Sequence, residues 1–216
     1  MATQPAHSAG PEPSTGRPEG AVGGGAAGEL DGVTLRPARA ADSARCQEIA
    51  LVAWERIHAE RRHLLGETLY GHLTGDWRGA KAAAVARHLE QHPDWTLVAC
   101  VTSMTRATTA CLREAAHEPD AAQADSGEQV VGFVTFRLDR EESVGTIGNN
   151  AVDPASQGRG IAGLLYRHVL ERFRAEGMRV ASVTTGLDDG HAPALAAYRK
   201  VGFSAEVPSV TLYQKL

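Results

Sequence analysis

Two hydrophobic periods divide the chain. Up to Asp31 there is neither: the stretch is rich in Gly, Pro, Ala and Ser without apolar periodicity. Such a segment buries too little surface to offset its ordering entropy, and residues 1–31 read as a disordered tail. A short strand follows at Val33-Thr34-Leu35-Arg36 and breaks at Pro37. Asp42 reads as an N-cap, and Ile49, Val52, Ala53 and Ile57 recur at helical spacing behind it. A second helix is expected from Gly79 to Gln91, stopped by Pro93, with a partly irregular stretch from Gly66 to Arg78 before it. Strands are expected at Trp95–Val101, Gln129–Leu138 and Val144–Val152, where apolar and β-branched residues dominate. The 102–128 connection is long for a hairpin and reads as an inserted mobile loop, with a short helix around Thr108–Ala116.

After Val152 the pattern becomes helical again. Ile161, Leu164, Leu165, Val169 and Phe173 share one face, and Gly177 stands where a C-terminal cap belongs. Val180–Thr185 reads as a strand, Pro193–Lys200 as a short helix and Val210–Lys215 as a last strand. This order points to an α+β fold, layered α/β/α, with a mixed central sheet and flanking helices, carried by residues 32–216 as one domain.

Composition narrows the function classes. At 43% hydrophobic and 22% charged residues the chain is globular. With a net charge of −4 and no basic stripe, nucleic-acid binding is not expected. A mildly acidic balance is compatible with a cationic acceptor such as an amine. Cys46, Cys100 and Cys111 lie far apart and form no Cys-x-x-Cys pair, so neither a disulfide framework nor a cysteine metal site is expected. No signal peptide and no bilayer-spanning run is evident, and the expected compartment is cytoplasmic, without a membrane partner. His88 and His92 stand four apart but lack the Glu of a zincin motif and a third ligand; they read as surface histidines, and no metal is expected. Gly-x-Ser-x-Gly is absent.

The segment Gln157-Gly158-Arg159-Gly160-Ile161-Ala162 carries the strongest chemistry. Glycines at a strand-to-helix junction let backbone N–H groups approach a phosphate, and the helix N-terminus adds partial positive charge. Arg159 adds a full one. The alternative is a plain tight turn before an amphipathic helix. Gly158, Gly160 and Gly163 also satisfy G-x-G-x-x-G, but a dinucleotide fold would place that motif at its first strand and follow it with several βα units. It would also place an acid about 20 residues on, where this chain has Val183-Thr184-Thr185.

This segment resembles the Gln/Arg-x-x-Gly-x-Gly/Ala motif of the GNAT acetyltransferase superfamily. Gly148-Asn149-Asn150-Ala151-Val152-Asp153-Pro154 is similar to the strand that leads into it, and Ala194-x-x-x-Tyr198-x-Lys200-x-Gly202-Phe203 resembles the second signature. The resemblance covers Val33 to Leu216 and is strongest from Val130 to Phe203. It implies acetyl-CoA as co-substrate and direct transfer of the acetyl group to an amine, borne by a small molecule or a peptide, without a covalent enzyme intermediate. It implies that backbone N–H groups of Gly158, Gly160, Ile161 and Ala162, flanked by Gln157 and Arg159, hold the pyrophosphate. Ala151 and Val152, at a splayed strand end, would bind the pantetheine arm. Tyr198 would protonate the departing thiolate; packing in the core is the other reading of this side chain.

The family often has Asn seven residues before that tyrosine; here the position is His191. His191 is therefore a candidate proton acceptor or simply the residue preceding a helix. Trp54, Asn149 and Asp188 are the candidate acceptor contacts, with Asn150 as a further hydrogen-bonding group, Tyr70 and Trp77 as further pocket aromatics, and Asp189 and Glu55 as weaker carboxylate candidates. A catalytically inactive coenzyme-A-binding module, acting as a sensor or partner-binding domain, is the alternative function. A homodimer is compatible with the sequence.

Overall fold

The computed structural model describes residues 30–102 and 127–216. The tail up to 29, the expected helix around Thr108–Ala116 and Cys111 lie outside them. Leu30, expected in the tail, belongs to the folded part. It bridges to Val33 across a turn in which Gly32 adopts φ 73°, and its side chain packs on the core. Thr102 and Glu128, expected in the inserted loop, end one strand and begin the next.

The order is β1 (Val33–Pro37), α1 (Ser43–Thr74), α2 (Trp77–Gln91), β2 (Thr96–Thr102), β3 (Glu128–Asp139), β4 (Val144–Val152), α3 (Ile161–Ala175), β5 (Val180–Val183) and α4 (Ala192–Lys200). The sheet order is β1-β2-β3-β4-β5, antiparallel up to β4 and parallel between β4 and β5. The last step is parallel because α3 crosses over between the two strands.

Alternation along β2 divides the core. Leu97 and Ala99 face α3 and α4 with Phe136, Ile147, Leu165, Val169 and Phe173. Val98 and Cys100 face the other side with Cys46, Ile49, Val85, Leu89 and Phe133. Helices thus cover both faces of the sheet, and the expected α/β/α layering holds. Burial raises the Cys46 thiol to about 12 and the Cys100 thiol to about 11, which marks both as apolar packing groups rather than reactive thiolates.

Several local expectations change. Asp42 precedes α1, but its carboxylate does not cap it. It accepts from Arg36 Nη1 at 2.7 Å and Nη2 at 3.0 Å and from the Arg39 N–H at 2.6 Å, so the bidentate guanidinium and the preceding turn occupy the oxygens that would cap the helix. The stretch from Gly66 to Arg78 is helical apart from breaks at Gly66 and around Gly75, and α2 begins at Trp77, where Asp76 accepts from the Gly79 N–H at 3.0 Å. Gly177 does close α3: with φ 77° it donates to Arg174 O, and Met178 donates to Phe173 O. Val210–Lys215 is not a strand. Ser204–Leu216 forms no ladder, and Val207, Val210, Leu212, Tyr213 and Leu216 are exposed. Alternation supplies side chains for a strand but not a partner, and β5 pairs only with β4.

Candidate functional site

Parallel pairing of β4 with β5 ends at Ile147↔Val183. From Gly148 to Val152 no strand among the described residues pairs with β4 on that side; Gly148 O and Val152 O accept from the Asn150 and Gln157 side chains instead of a ladder. A β-bulge sits at the same point: the β3–β4 register slips between Val134↔Asn150 and Phe136↔Ile147. Thr135 Oγ1 donates to Asn149 O at 3.0 Å and holds the bulge. Gly148 is required there, since a Cβ would stand 2.7 Å from Thr135 Oγ1.

The open strand end forms one wall of a cavity of about 1050 Å³. At one end lies the start of α3. Gly158 and Gly160 adopt φ 77° and 86°, and no side chain crowds Gly158. The first intrahelical bond of α3 runs from the Leu164 N–H to Gly160 O, so earlier N–H groups lack helical acceptors. Gln157 Nε2 donates to Val152 O at 3.0 Å and ties the loop to β4, while Asp153 accepts from the Ala155 N–H at 2.9 Å and pairs with Arg45 on α1. Gly158, Gly160, Ile161 and Ala162 line the cavity; Arg159, in the same loop, is exposed and is not among its lining residues. The cradle thus rests on backbone N–H groups and the helix end.

Tyr198, on α4, is only 4% exposed, and it lines the cavity. Tyr166 Oη donates to Asn150 Oδ1 at 2.6 Å, and Asn150 Nδ2 donates to Tyr198 Oη at 2.8 Å and to Gly148 O at 3.0 Å. The two rings stack with centroids 4.7 Å apart. With the Tyr198 oxygen accepting from Asn150, its O–H remains available to donate. Burial raises the Tyr198 hydroxyl above the ordinary phenol range and the neighbouring Tyr166 and Asn150 side chains only moderate this, so the group stays protonated at neutral pH.

His191 also lines the cavity. Its Nδ1 stands 2.7 Å from Asp188 Oδ2, and its N–H donates to Asp188 Oδ1 at 3.2 Å. Asp188, expected to touch the acceptor, is turned instead toward this ring and is not among the lining residues. Burial pushes its carboxyl up, but the hydrogen bond and charge of His191 bring it below the usual carboxylate value. The loop bearing His191 is seated tightly on α1: Arg56 Nη2 donates to Asp189 O at 2.8 Å, and a Cβ on Gly190 would stand 3.0 Å from Ile57 Cα.

Trp54 and Asn149, also in the cavity wall, meet through a residue that no sequence motif singles out. Lys81 Nζ lies 3.9 Å from the centre of the Trp54 ring and donates to Asn149 Oδ1 at 3.1 Å. Burial lowers its ammonium below the ordinary lysine range. Lys81 and Tyr166 carry no motif; their positions on α2 and α3 become informative only once the sheet is folded. Tyr70 and Trp77 lie outside this cavity, around His58, and Glu55 pairs with Arg78. His88, expected at the surface, is buried, with Nε2 3.3 Å from Trp95 O. Among the described residues no three His, Cys, Asp or Glu side chains cluster as a metal site, and no helix is long and apolar enough to cross a membrane.

A mixed five-stranded sheet that opens beside a glycine-lined helix start defines the fold and its cavity. The sequence profile of the acetyltransferase (GNAT) family matches residues 85–203, more than half the chain, and the chain belongs to that family. No curated protein matches it. Among solved structures it is similar to the PaiA N-acetyltransferase from Thermoplasma acidophilum in complex with coenzyme A, with 13% identity over 82% of this chain and 92% of that one and a TM-score of 0.55. It also matches an aminoglycoside acetyltransferase from an uncultured soil metagenomic sample (19% identity, 85% and 99% of the chains, TM-score 0.46). A further match is a GNAT family acetyltransferase from Brucella melitensis in complex with acetyl-CoA (22% identity, 80% and 83%, TM-score 0.40). The first of these establishes the fold.

Proposed function

We propose that this protein transfers an acetyl group from acetyl-CoA to the amine of a small molecule or peptide. The observation that carries this reading is the Tyr198 hydroxyl, held by Asn150 in the wall of the cavity that the open strand end and the α3 N-terminus share. The fit to the donor rests on this chain's own groups. Backbone N–H groups of Gly158, Gly160, Ile161 and Ala162 suit a pyrophosphate, and the unpaired edge at Ala151 and Val152 suits an amide-bearing arm. Gln157 holds the loop, and Arg159 adds positive charge from outside the wall.

An amine is mostly protonated in neutral water, so a proton acceptor is needed before its nitrogen can attack the thioester carbon. His191 is the candidate: with Nδ1 taken by Asp188, Nε2 is left to accept. As the new C–N bond forms and the C–S bond breaks, Tyr198 donates its proton to the leaving sulfur, and the second proton lost by the amine nitrogen restores the Tyr198 hydroxyl. The edge of β4 past Gly148 supplies donors for the oxyanion. Trp54 and Asn149 line the acceptor end.

Steady-state turnover and coenzyme A affinity test these roles together. Tyr198→Phe should lower kcat about a hundredfold, and His191→Ala should lower it by at least about tenfold, with the coenzyme A Kd within about twofold in each. Wild-type turnover in Tyr198→Phe would remove that residue from the reaction, and unchanged turnover in His191→Ala would remove the base.

A further inference from the structure

The cavity wall contains Arg56, Lys81, Arg167 and Lys200 but no Asp or Glu among the described residues. They come from four helices: Arg56 from α1, Lys81 from α2, Arg167 from α3 and Lys200 from α4. Lys81 is the one held against Trp54 and Asn149, the candidate acceptor contacts. Elsewhere in the molecule Arg36, Arg45, Arg78, Arg140 and Arg199 each meet a carboxylate. Among the described residues Arg56 and Lys81 do not: Arg56 donates to a backbone carbonyl, and Lys81 is held by an aromatic face and an amide oxygen.

A partly buried ammonium without an anion is costly, and a neutral amide and a π-face offset that cost only in part. The same two contacts hold the ammonium in one place at the cavity wall. We infer that Lys81, on a wall that also carries Arg56, selects an acceptor that carries an anionic group, a carboxylate or a phosphate, in addition to its amine. Polycationic acceptors would meet the like charge of Lys81 and no carboxylate among the described wall residues. The inference rests on the acetyl-transfer reading above and refines its acceptor.

Matched acceptor pairs test it: amino acids against their amides, and phosphoethanolamine against ethanolamine, with thiol release from acetyl-CoA as the readout. The anionic member of one pair should be preferred by about tenfold to a hundredfold in kcat/KM, and the pair that shows this identifies the anion. That ratio should fall toward one in Lys81→Met, persist in Lys81→Arg and reverse in Lys81→Glu, a pattern that a merely structural lysine would not produce. Equal use of both members by the wild type, or a ratio unchanged in Lys81→Met, would overturn the inference. If no amine of any charge releases thiol, the transfer reading itself fails. The charge inference is then decided by quenching of tryptophan fluorescence with the same pairs at saturating coenzyme A. Tighter binding of the anion, lost in Lys81→Glu, upholds it; equal or absent binding overturns it.

Discussion

At the residue scale the site depends on a relay within the cavity wall. Tyr166 is buried against Tyr198, and its hydroxyl donates to Asn150 Oδ1. That bond fixes which end of the Asn150 amide faces Tyr198 and so leaves the Tyr198 O–H free to donate. Asn150→Ala removes the link without touching the glycine loop. We expect kcat to fall about tenfold or more while the KM for acetyl-CoA changes little, whereas Asn150→Asp, which offers an acceptor in place of the donor, should be slower than wild type by at least as much. A KM effect without a kcat effect would make Asn150 a donor-binding group instead. Asn150 was legible in the sequence only as a hydrogen-bonding residue near the motif, because its two tyrosine partners are 16 and 48 residues away.

At the element scale the α3 N-terminus and the α1–α2 pair both contribute to the cavity wall. Gly160 adopts φ 86° at the position before α3. Gly160→Ala forces a Cβ into that conformation, costing about 1–2 kcal/mol, and tilts the first-turn N–H groups. Weaker coenzyme A binding with a modest drop in Tm is expected; unchanged affinity would mean that the loop is only a turn.

His58 on α1 stacks on Trp77 at 3.9 Å, and its Nδ1 lies 3.2 Å from Tyr70 Oη. Burial, reinforced by Arg61, Lys81, Arg78 and Arg62, lowers its pKa from 6.5 to about 4. The unfolded chain therefore takes up this proton first. The stability contributed by neutral His58 is complete above about pH 6.5, falls as pH drops toward 4 and changes no further below that. Melting curves should show a shallower loss between pH 6.5 and 4 in His58→Phe, which keeps the stack. An identical slope would show that His58 does not control the acid sensitivity of the α1–α2 pair.

At the scale of the whole molecule, the sheet and its two helical layers were legible because burial imposes a period. Leu97, Val98, Ala99 and Cys100 alternate between two cores, and Leu165, Val169 and Phe173 recur along one helix face. The C-terminal segment was misread for the converse reason: Val210 and Leu212 have the spacing of a strand, but spacing does not reveal whether a partner edge exists. The proposed donor site is a local motif, glycines at a helix start, that stands in consecutive residues. The proposed acceptor site is not local. Lys81, Trp54 and Asn149 come from α2, α1 and β4, and Asp188 moved from a predicted acceptor contact to the partner of His191 only when the loop was seen folded on α1.

The most direct test of acetyl transfer at this cavity is acceptor-dependent release of thiol from acetyl-CoA by the wild-type protein. We expect thiol release to rise with at least one primary amine, in proportion to acetylated product, and to stay near background without it. Coenzyme A binding at the α3 N-terminus with no acceptor-dependent release for any amine, anionic, neutral or cationic, would contradict the assignment and leave a binding module in its place.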